Sequence, residues 1–221
     1  MTEIENPYRS LVVGVVLAGG QSRRMEGADK AQVPVGGTLL IDRAVERMTP
    51  QIGEIVLSAN GDASRFAHLG HKVIVDEMPG FQGPLSGILA ALDWARSHAP
   101  QPRFVASVAV DTPFFPTDLV HRFVGTVGHS DKMIAIAKSG DRNHATFGLW
   151  PVGLADDLRD HLTTQDNRKV MDWVETQEHA TVVFPGMVLD GVEVDPFFNV
   201  NAPDDVDTAN AIADALMDQA A

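Results

Sequence analysis

The sequence predicts an α/β fold, a doubly wound and mostly parallel sheet with helices on both faces. Two patterns carry that expectation. Four short and nearly continuous apolar runs, Leu11 to Leu17, Glu54 to Ala59, Lys72 to Val75 and Phe104 to Val110, read as strands buried on both sides. Between them, Leu39 to Met48 and Leu85 to His98 repeat apolar residues at helical spacing. Strands alternating with helices imply right-handed crossovers and a Rossmann-like sandwich.

The second half is less regular. Met133 to Ala137, Thr146 to Trp150 and Thr181 to Phe184 read as strands, and Val152 to His161 and Arg168 to Glu175 as helices. Pro203 to Met217 reads as a closing helix, with Pro203 in its first turn and Asp204, Asp205 and Asp207 near its positive end. Neither a repeat nor a linker interrupts the chain, so residues 1–221 are expected to form one domain, with residues 1–10 a flexible lead.

With 221 residues and 44% hydrophobic content, the chain can bury a substantial core. It has no cysteine, which excludes disulfide frameworks, thiolate zinc sites and cysteine nucleophiles and suits a reducing cytoplasm. Glu3 and Glu5 precede any apolar run, unlike a secretory signal, and no run approaches membrane-spanning length. A net charge of -13 repels nucleic acid and anionic membranes and leaves small ligands as the expected partners. Arg23, Arg24 and Lys30 are a local basic exception inside a glycine-rich stretch.

In an open parallel sheet, ligands sit in the crevice beyond the carboxyl ends of the strands. The predicted strands end in Leu17-Ala18-Gly19-Gly20, Ser58-Ala59-Asn60, Asp76 and Asp111. Each alone is an ordinary turn former; together they present small and polar groups to one crevice. The loop from Leu17 to Lys30 combines glycines, which let backbone N–H groups approach an anion, with Arg and Lys to offset a polyphosphate. Triphosphate binding follows, although the loop is neither a P-loop nor the dinucleotide fingerprint. Asp111, fixed at a strand end before Thr112 and Pro113, suits Mg²⁺, which takes one or two carboxylates along with substrate phosphates; a turn cap is the alternative role.

Gly83-Pro84-Leu85-Ser86-Gly87 opens a helix whose free N–H groups point at the same crevice. Asn199 and Asn201 flank Val200 at a spacing of two, so on a strand both amides face one side, able to meet a ligand; an edge-strand or turn role is the alternative. Arg142 and His144, read as lying just before a strand, can hold an anionic acceptor or stand in solvent. His68 and His71 make a weak metal pair without an H-E-x-x-H pattern, and Trp94, Trp150 and Trp173 are expected in packing roles.

Taken in order, L-A-G-G-Q-S-R-R-M (Leu17 to Met25), D-K-A (Asp29 to Ala31), G-P-L-S-G (Gly83 to Gly87), D-T-P-F (Asp111 to Phe114) and F-N-V-N-A-P-D-D (Phe198 to Asp205) resemble the molybdenum cofactor guanylyltransferases, nucleotidyltransferases with a glycine-rich first loop. The resemblance spans nearly the whole chain and departs from the pattern at Glu26, where Gly is usual, and at Ser58, where Asn is expected. It implies a Mg²⁺-dependent transfer of GMP from GTP to the phosphate of molybdopterin, releasing pyrophosphate. It further implies nucleotide contacts from Leu17, Ala18, Gly19, Gly20, Asn60 and Asp76, phosphate contacts from Lys30 assisted by Arg24, and a nucleotide and metal contact from Asp111. Gly83, Arg142, His144, Asn199 and Asn201 are the acceptor-side candidates, with Asn199 and Asn201 facing the pterin acceptor or completing the metal site, so the N-terminal part is expected to bind the nucleotide and the C-terminal part the acceptor. Partners beyond GTP and molybdopterin would be molybdoenzyme chaperones or other cofactor-synthesis proteins. Cytidylyl transfer, transfer to a sugar phosphate, and a non-catalytic GTP or cofactor carrier remain the alternatives.

Overall fold

The computed structural model describes residues 8–19, 29–75, 83–98, 102–165 and 167–220. The chain opens with β1 (Val12–Leu17), then a 3₁₀ turn at Lys30–Gln32, a hairpin of β2 (Pro34–Val35) and β3 (Thr38–Leu39), and α1 (Leu40–Met48). Next come β4 (Glu54–Ser58), a 3₁₀ helix at Ala63–Leu69, β5 (Lys72–Ile74), α2 (Pro84–Arg96), β6 (Phe104–Ala109) and α3 (Leu119–Val127). The rest comprises β7 (Ile134–Ser139), β8 (Arg142–Pro151), α4 (Ala155–Thr164), α5 (Val170–Val174), β9 (His179–Val183), a hairpin of β10 (Met187–Leu189) and β11 (Val192–Val194), and α6 (Pro203–Ala220).

Seven strands form one sheet in the order β5-β4-β1-β6-β8-β7-β9. The chain lays down β1, steps outward through β4 to β5, and crosses back to place β6 on the other side of β1, all parallel. The switch point therefore lies between β1 and β6, where the connections leaving adjacent strands run in opposite directions along the sheet and leave a crevice beyond the strand ends. β8 runs antiparallel to β6 and β7, while β9 is parallel to β7, so the sheet is mostly parallel, as expected.

The continuous apolar runs are explained by burial on both faces. On β1, Val12 and Val16 join a core built by Leu40, Ile41 and Met48 of α1, Phe123 of α3 and Ile212 of α6. Val13 and Val15 face the opposite core, made by Ile88 and Leu92 of α2, Leu158 of α4 and Trp173 of α5. Each such buried aliphatic or aromatic side chain contributes about 1.5–3 kcal/mol. Among the described residues, no helix is long and apolar enough to cross a membrane.

Several expectations need correction. Arg142 and His144 lie inside β8 rather than before it, because the turn at Gly140, with φ 51°, closes a β7–β8 hairpin that pairs Arg142 with Ser139 and His144 with Ala137. Asn199 and Asn201 lie on an irregular segment instead of a strand; Val200 donates one backbone hydrogen bond to Asp111 O at 2.8 Å. α3 and the two small hairpins were not anticipated. Tyr8 onward is anchored, with Leu11 N donating to Tyr8 O at 2.9 Å and Arg9 Nε to Ile52 O at 3.2 Å, while residues 1–7 lie outside the described residues.

Candidate active site

At the rim of the crevice four strands, β5, β4, β1 and β6, are stitched together at their carboxyl ends. Ala18 N donates to Ser58 O at 2.8 Å, Ala59 N to Ile74 O at 3.1 Å, and Val110 N to Leu17 O at 3.2 Å. Leu17, Ala18 and Gly19 thus sit between the ends of β4 and β6. A Cβ on Gly19 would lie 3.7 Å from Ser58 O and 3.9 Å from Asn60 Nδ2, so Gly19 and the Asn60 amide are neighbours.

Gly87 brings α2 over this crevice. A Cβ there would meet Ser58 Oγ at 2.7 Å and Leu17 Cδ2 at 2.9 Å, so the absence of a side chain is what lets the first turn of α2 approach β1 and β4. Pro84 starts the helix without wasting a donor, and Ser86 Oγ donates back to the Gly83 carbonyl at 2.8 Å. Ser58, where the resemblance led one to expect Asn, is buried beneath this contact.

Lys30 is the centre of the site. Its ammonium lies 3.1 Å from Asp111 Oδ2 and donates to Asn201 Oδ1 at 2.5 Å, joining residues far apart in sequence. Three local devices aim these groups. Asp29 caps the 3₁₀ turn carrying Lys30, accepting from Ala31 N at 3.1 Å. Asp205, in the first turn of α6, accepts from Asn201 N and Ala202 N, each at 2.8 Å, fixing the segment that presents Asn201. The loop after Asp111 is held from below by Arg47, whose guanidinium donates to Phe115 O at 2.7 Å and Phe114 O at 3.2 Å. Burial, with nearby Arg43 adding repulsion, holds the Arg47 pKa below its ordinary value.

Asn199 accepts from the buried Thr112 hydroxyl at 2.5 Å, which ties it to the residue following Asp111. Asp111 and Asn201 together offer a carboxylate and an amide oxygen, the hard donors that Mg²⁺ prefers. Among the described residues no group of three or more His, Cys, Asp or Glu side chains is placed to hold a metal ion, so any ion here would complete its shell with water and substrate phosphates.

Arg142 is exposed and His144 is buried. The His144 ring stacks on Phe197 with centroids 4.3 Å apart, and its Nε2 lies 2.7 Å from Ser139 Oγ. Ser139 donates its one proton to Asp195 Oδ1 at 2.8 Å, so the neutral imidazole must carry its proton on Nε2. Burial pushes the His144 pKa down, partly opposed by Asp195 and reinforced by Arg142. His68 contacts Asp42 at 2.8 Å. Trp150 donates to Ser107 Oγ and stacks with Trp173, both buried, whereas Trp94 stacks with His98. Gly20, Arg24 and Asp76 lie outside the described residues, as does Glu26. Arg47, Thr112 and Asp205 are contributions that the sequence reading did not assign to the site; only Asp205 left a signal, as an acidic residue in the first turn of a predicted helix.

A family model described as the MobA-like NTP transferase domain matches residues 14–181, a span that includes Lys30 and Asp111. The chain belongs to this family. Among MobA-like relatives, the molybdenum cofactor guanylyltransferase of Mesorhizobium japonicum is 43% identical over 205 residues, covering 93% of this chain and 97% of its own. Its counterpart from Bradyrhizobium sp. (strain ORS 278) is 45% identical over 202 residues, covering 91% and 93%. The solved structure of molybdopterin-guanine dinucleotide biosynthesis protein A from Archaeoglobus fulgidus matches with a TM-score of 0.66 at 25% identity, covering 91% of this chain and 98% of that one. A protein from Mycobacterium sp. strain JC1 shares the fold with a TM-score of 0.71 at 21% identity, over 94% and 99%.

Proposed function

We propose that this MobA-like nucleotidyltransferase transfers GMP from GTP to the phosphate of molybdopterin, giving molybdopterin guanine dinucleotide and pyrophosphate. The observation that carries the reading within the molecule is the Lys30–Asp111–Asn201 cluster at the switch point, where a phosphate-binding cation meets two hard oxygen donors. The relatives named molybdenum cofactor guanylyltransferase support a guanylyl group and a molybdenum cofactor as acceptor, and the neighbour named molybdopterin-guanine dinucleotide biosynthesis protein A supports the product.

An oxygen of the acceptor phosphate attacks the α-phosphorus of GTP, forming the new P–O bond as the bond to the β-phosphate breaks and pyrophosphate leaves. That oxygen is already ionised, so no protein base is needed; alignment and charge stabilisation carry the rate. Lys30 turns from Asp111 and Asn201 towards the phosphates and offsets the charge that gathers on the leaving pyrophosphate. Leu17, Ala18, Gly19, Asn60 and Asp76 hold the nucleoside, and Gly20 and Arg24 assist at the phosphates. Gly83, Arg142, His144 and Asn199 form the acceptor side, with His144 orienting the β7–β8 hairpin from within. Asp111, with Asn201, would hold Mg²⁺, which supplies charge neutralisation at the phosphates when bound.

Pyrophosphate release tests the reading. With Mg²⁺, GTP and molybdopterin together it should be rapid and accompanied by the guanine dinucleotide in the mass spectrum. Tight GTP binding without release, surviving Asp111→Asn, would make the protein a carrier instead.

A further inference from the structure

We infer that Arg65 is a positioning residue for this transfer: it sets the spacing between the Lys30 turn, which grips phosphate, and the end of β4, beside which the nucleoside lies. The inference deepens the guanylyl-transfer reading and rests on it.

Arg65 stands on the 3₁₀ helix Ala63–Leu69 that leaves the crevice end of β4. Its Nη2 donates to Asn60 O at 3.0 Å, and its Nε faces Asp29 Oδ2, also at 3.0 Å. Those two facing atoms are shut off from solvent and make no directed hydrogen bond, so they form a buried contact of opposite charges. The other Asp29 oxygen caps the turn that begins with Lys30. One guanidinium therefore joins the floor of the nucleoside side to the turn that aims the ammonium. Its own position is fixed from below, since the guanidinium carbon lies 4.6 Å from the centre of the fully buried Phe66 ring. From above, Asp62 caps the helix through Ser64 N at 2.9 Å and Ser64 Oγ at 2.8 Å.

A planar fork that serves a carbonyl and a carboxylate on two different segments is a task for Arg; an ammonium is a point charge and does not hold that geometry. Both partners are about 30% exposed, 28% for Arg65 and 30% for Asp29, so the pair adds little to folding stability. Its effect is expected on turnover, where misplacing a reacting group by about 1 Å costs up to roughly a hundredfold.

The test compares wild type with Arg65→Met, Asp29→Asn, the double variant and Arg65→Lys, by pyrophosphate release with Mg²⁺, GTP and molybdopterin, by calorimetric GTP binding, and by melting temperature. Asn at position 29 keeps the cap on Ala31 and removes only the charge. Arg65→Met and Asp29→Asn should each lower kcat/KM by about tenfold to a hundredfold with a melting temperature within about 4 °C of wild type. The double variant should be no worse than the poorer single one, because both break the same link. Arg65→Lys should regain little. Near wild-type kcat/KM in Arg65→Met, losses that multiply in the double variant, or full recovery with Lys would each overturn the inference. Should Arg65→Met fail to fold, Arg65→Lys and Asp29→Asn carry the comparison by the same criteria. A wild-type protein that releases no pyrophosphate overturns the transfer reading. In that case GTP affinity still decides Arg65: weakened binding in the variants supports the spacing role, and unchanged binding refutes it.

Discussion

Replacing Asp111 with Asn keeps the shape of the side chain and removes its charge, so it separates what the Lys30–Asp111 contact does for folding from what it does for turnover. At 3.1 Å, the Coulomb attraction is about 1 kcal/mol at the dielectric of water and about 5 kcal/mol at an effective value of 20. Lys30 and Asp111 are 19% and 23% exposed, and part of that attraction only offsets their desolvation, so the net stability is about 1 kcal/mol. The lysine also keeps its hydrogen bond to Asn201. A domain of this size loses about 2–4 °C in melting temperature per kcal/mol, and no larger shift is expected. At the phosphates, by contrast, losing one oriented charged group costs about a hundredfold to a thousandfold in rate. Circular dichroism melts and pyrophosphate release, run on the same preparations of Asp111→Asn and Lys30→Ala, read both quantities. Turnover within a few-fold of wild type in either variant, or a collapse of the fold, would show that the contact is structural.

Gly87→Ala inserts a methyl 2.7 Å from Ser58 Oγ and 2.9 Å from Leu17 Cδ2; overpacking of about 1–3 kcal/mol should outweigh the better helix propensity of Ala, lowering the melting temperature, and a raised one would contradict the close approach. Arg47→Met strands the Phe114 and Phe115 carbonyls, so it should cost about 2–4 kcal/mol and slow turnover by loosening the Asp111 loop, as denaturant titration and steady-state kinetics will register. The folded pKa of His144 is lowered, whereas the unfolded imidazole takes a proton near pH 6.5; the unfolded state therefore binds more protons between those values. Wild-type stability should accordingly hold above about pH 6.5 and fall as pH drops towards the folded pKa, relative to His144→Gln, and parallel pH profiles for the two proteins would show that His144 is freely solvated.

Much of the architecture was legible because parallel strands buried on both faces leave continuous apolar runs, as β1, β4 and β6 do. The helical spacing of Leu119, Val120, Phe123, Val124 and Val127 is also present in the sequence, but α3 is only nine residues long and starts without a side-chain cap hydrogen bond, so its boundary signal is weak. The ends of β1, β4 and β6 bring Gly19, Asn60 and Asp111 to one edge of the sheet, a placement that strand boundaries alone imply. What the pattern did not hold was pairing at a distance: Lys30 meets Asp111 across 81 positions and Asn201 across 171, contacts set by the winding of the sheet and the return of the chain to its switch point. The β7–β8 hairpin was misjudged for a related reason. His144 reads as a polar residue before a strand, but the sheet buries it against Phe197 and satisfies it through Ser139, neither of which sequence spacing reveals.

Guanylyl transfer to a pterin phosphate is best tested by pyrophosphate release from each of the four nucleoside triphosphates, with and without molybdopterin and with mass analysis of the product. Release with GTP alone among the nucleotides, dependent on molybdopterin and yielding its guanine dinucleotide, is the predicted result; release with CTP in its place, or none from any nucleotide, would contradict it.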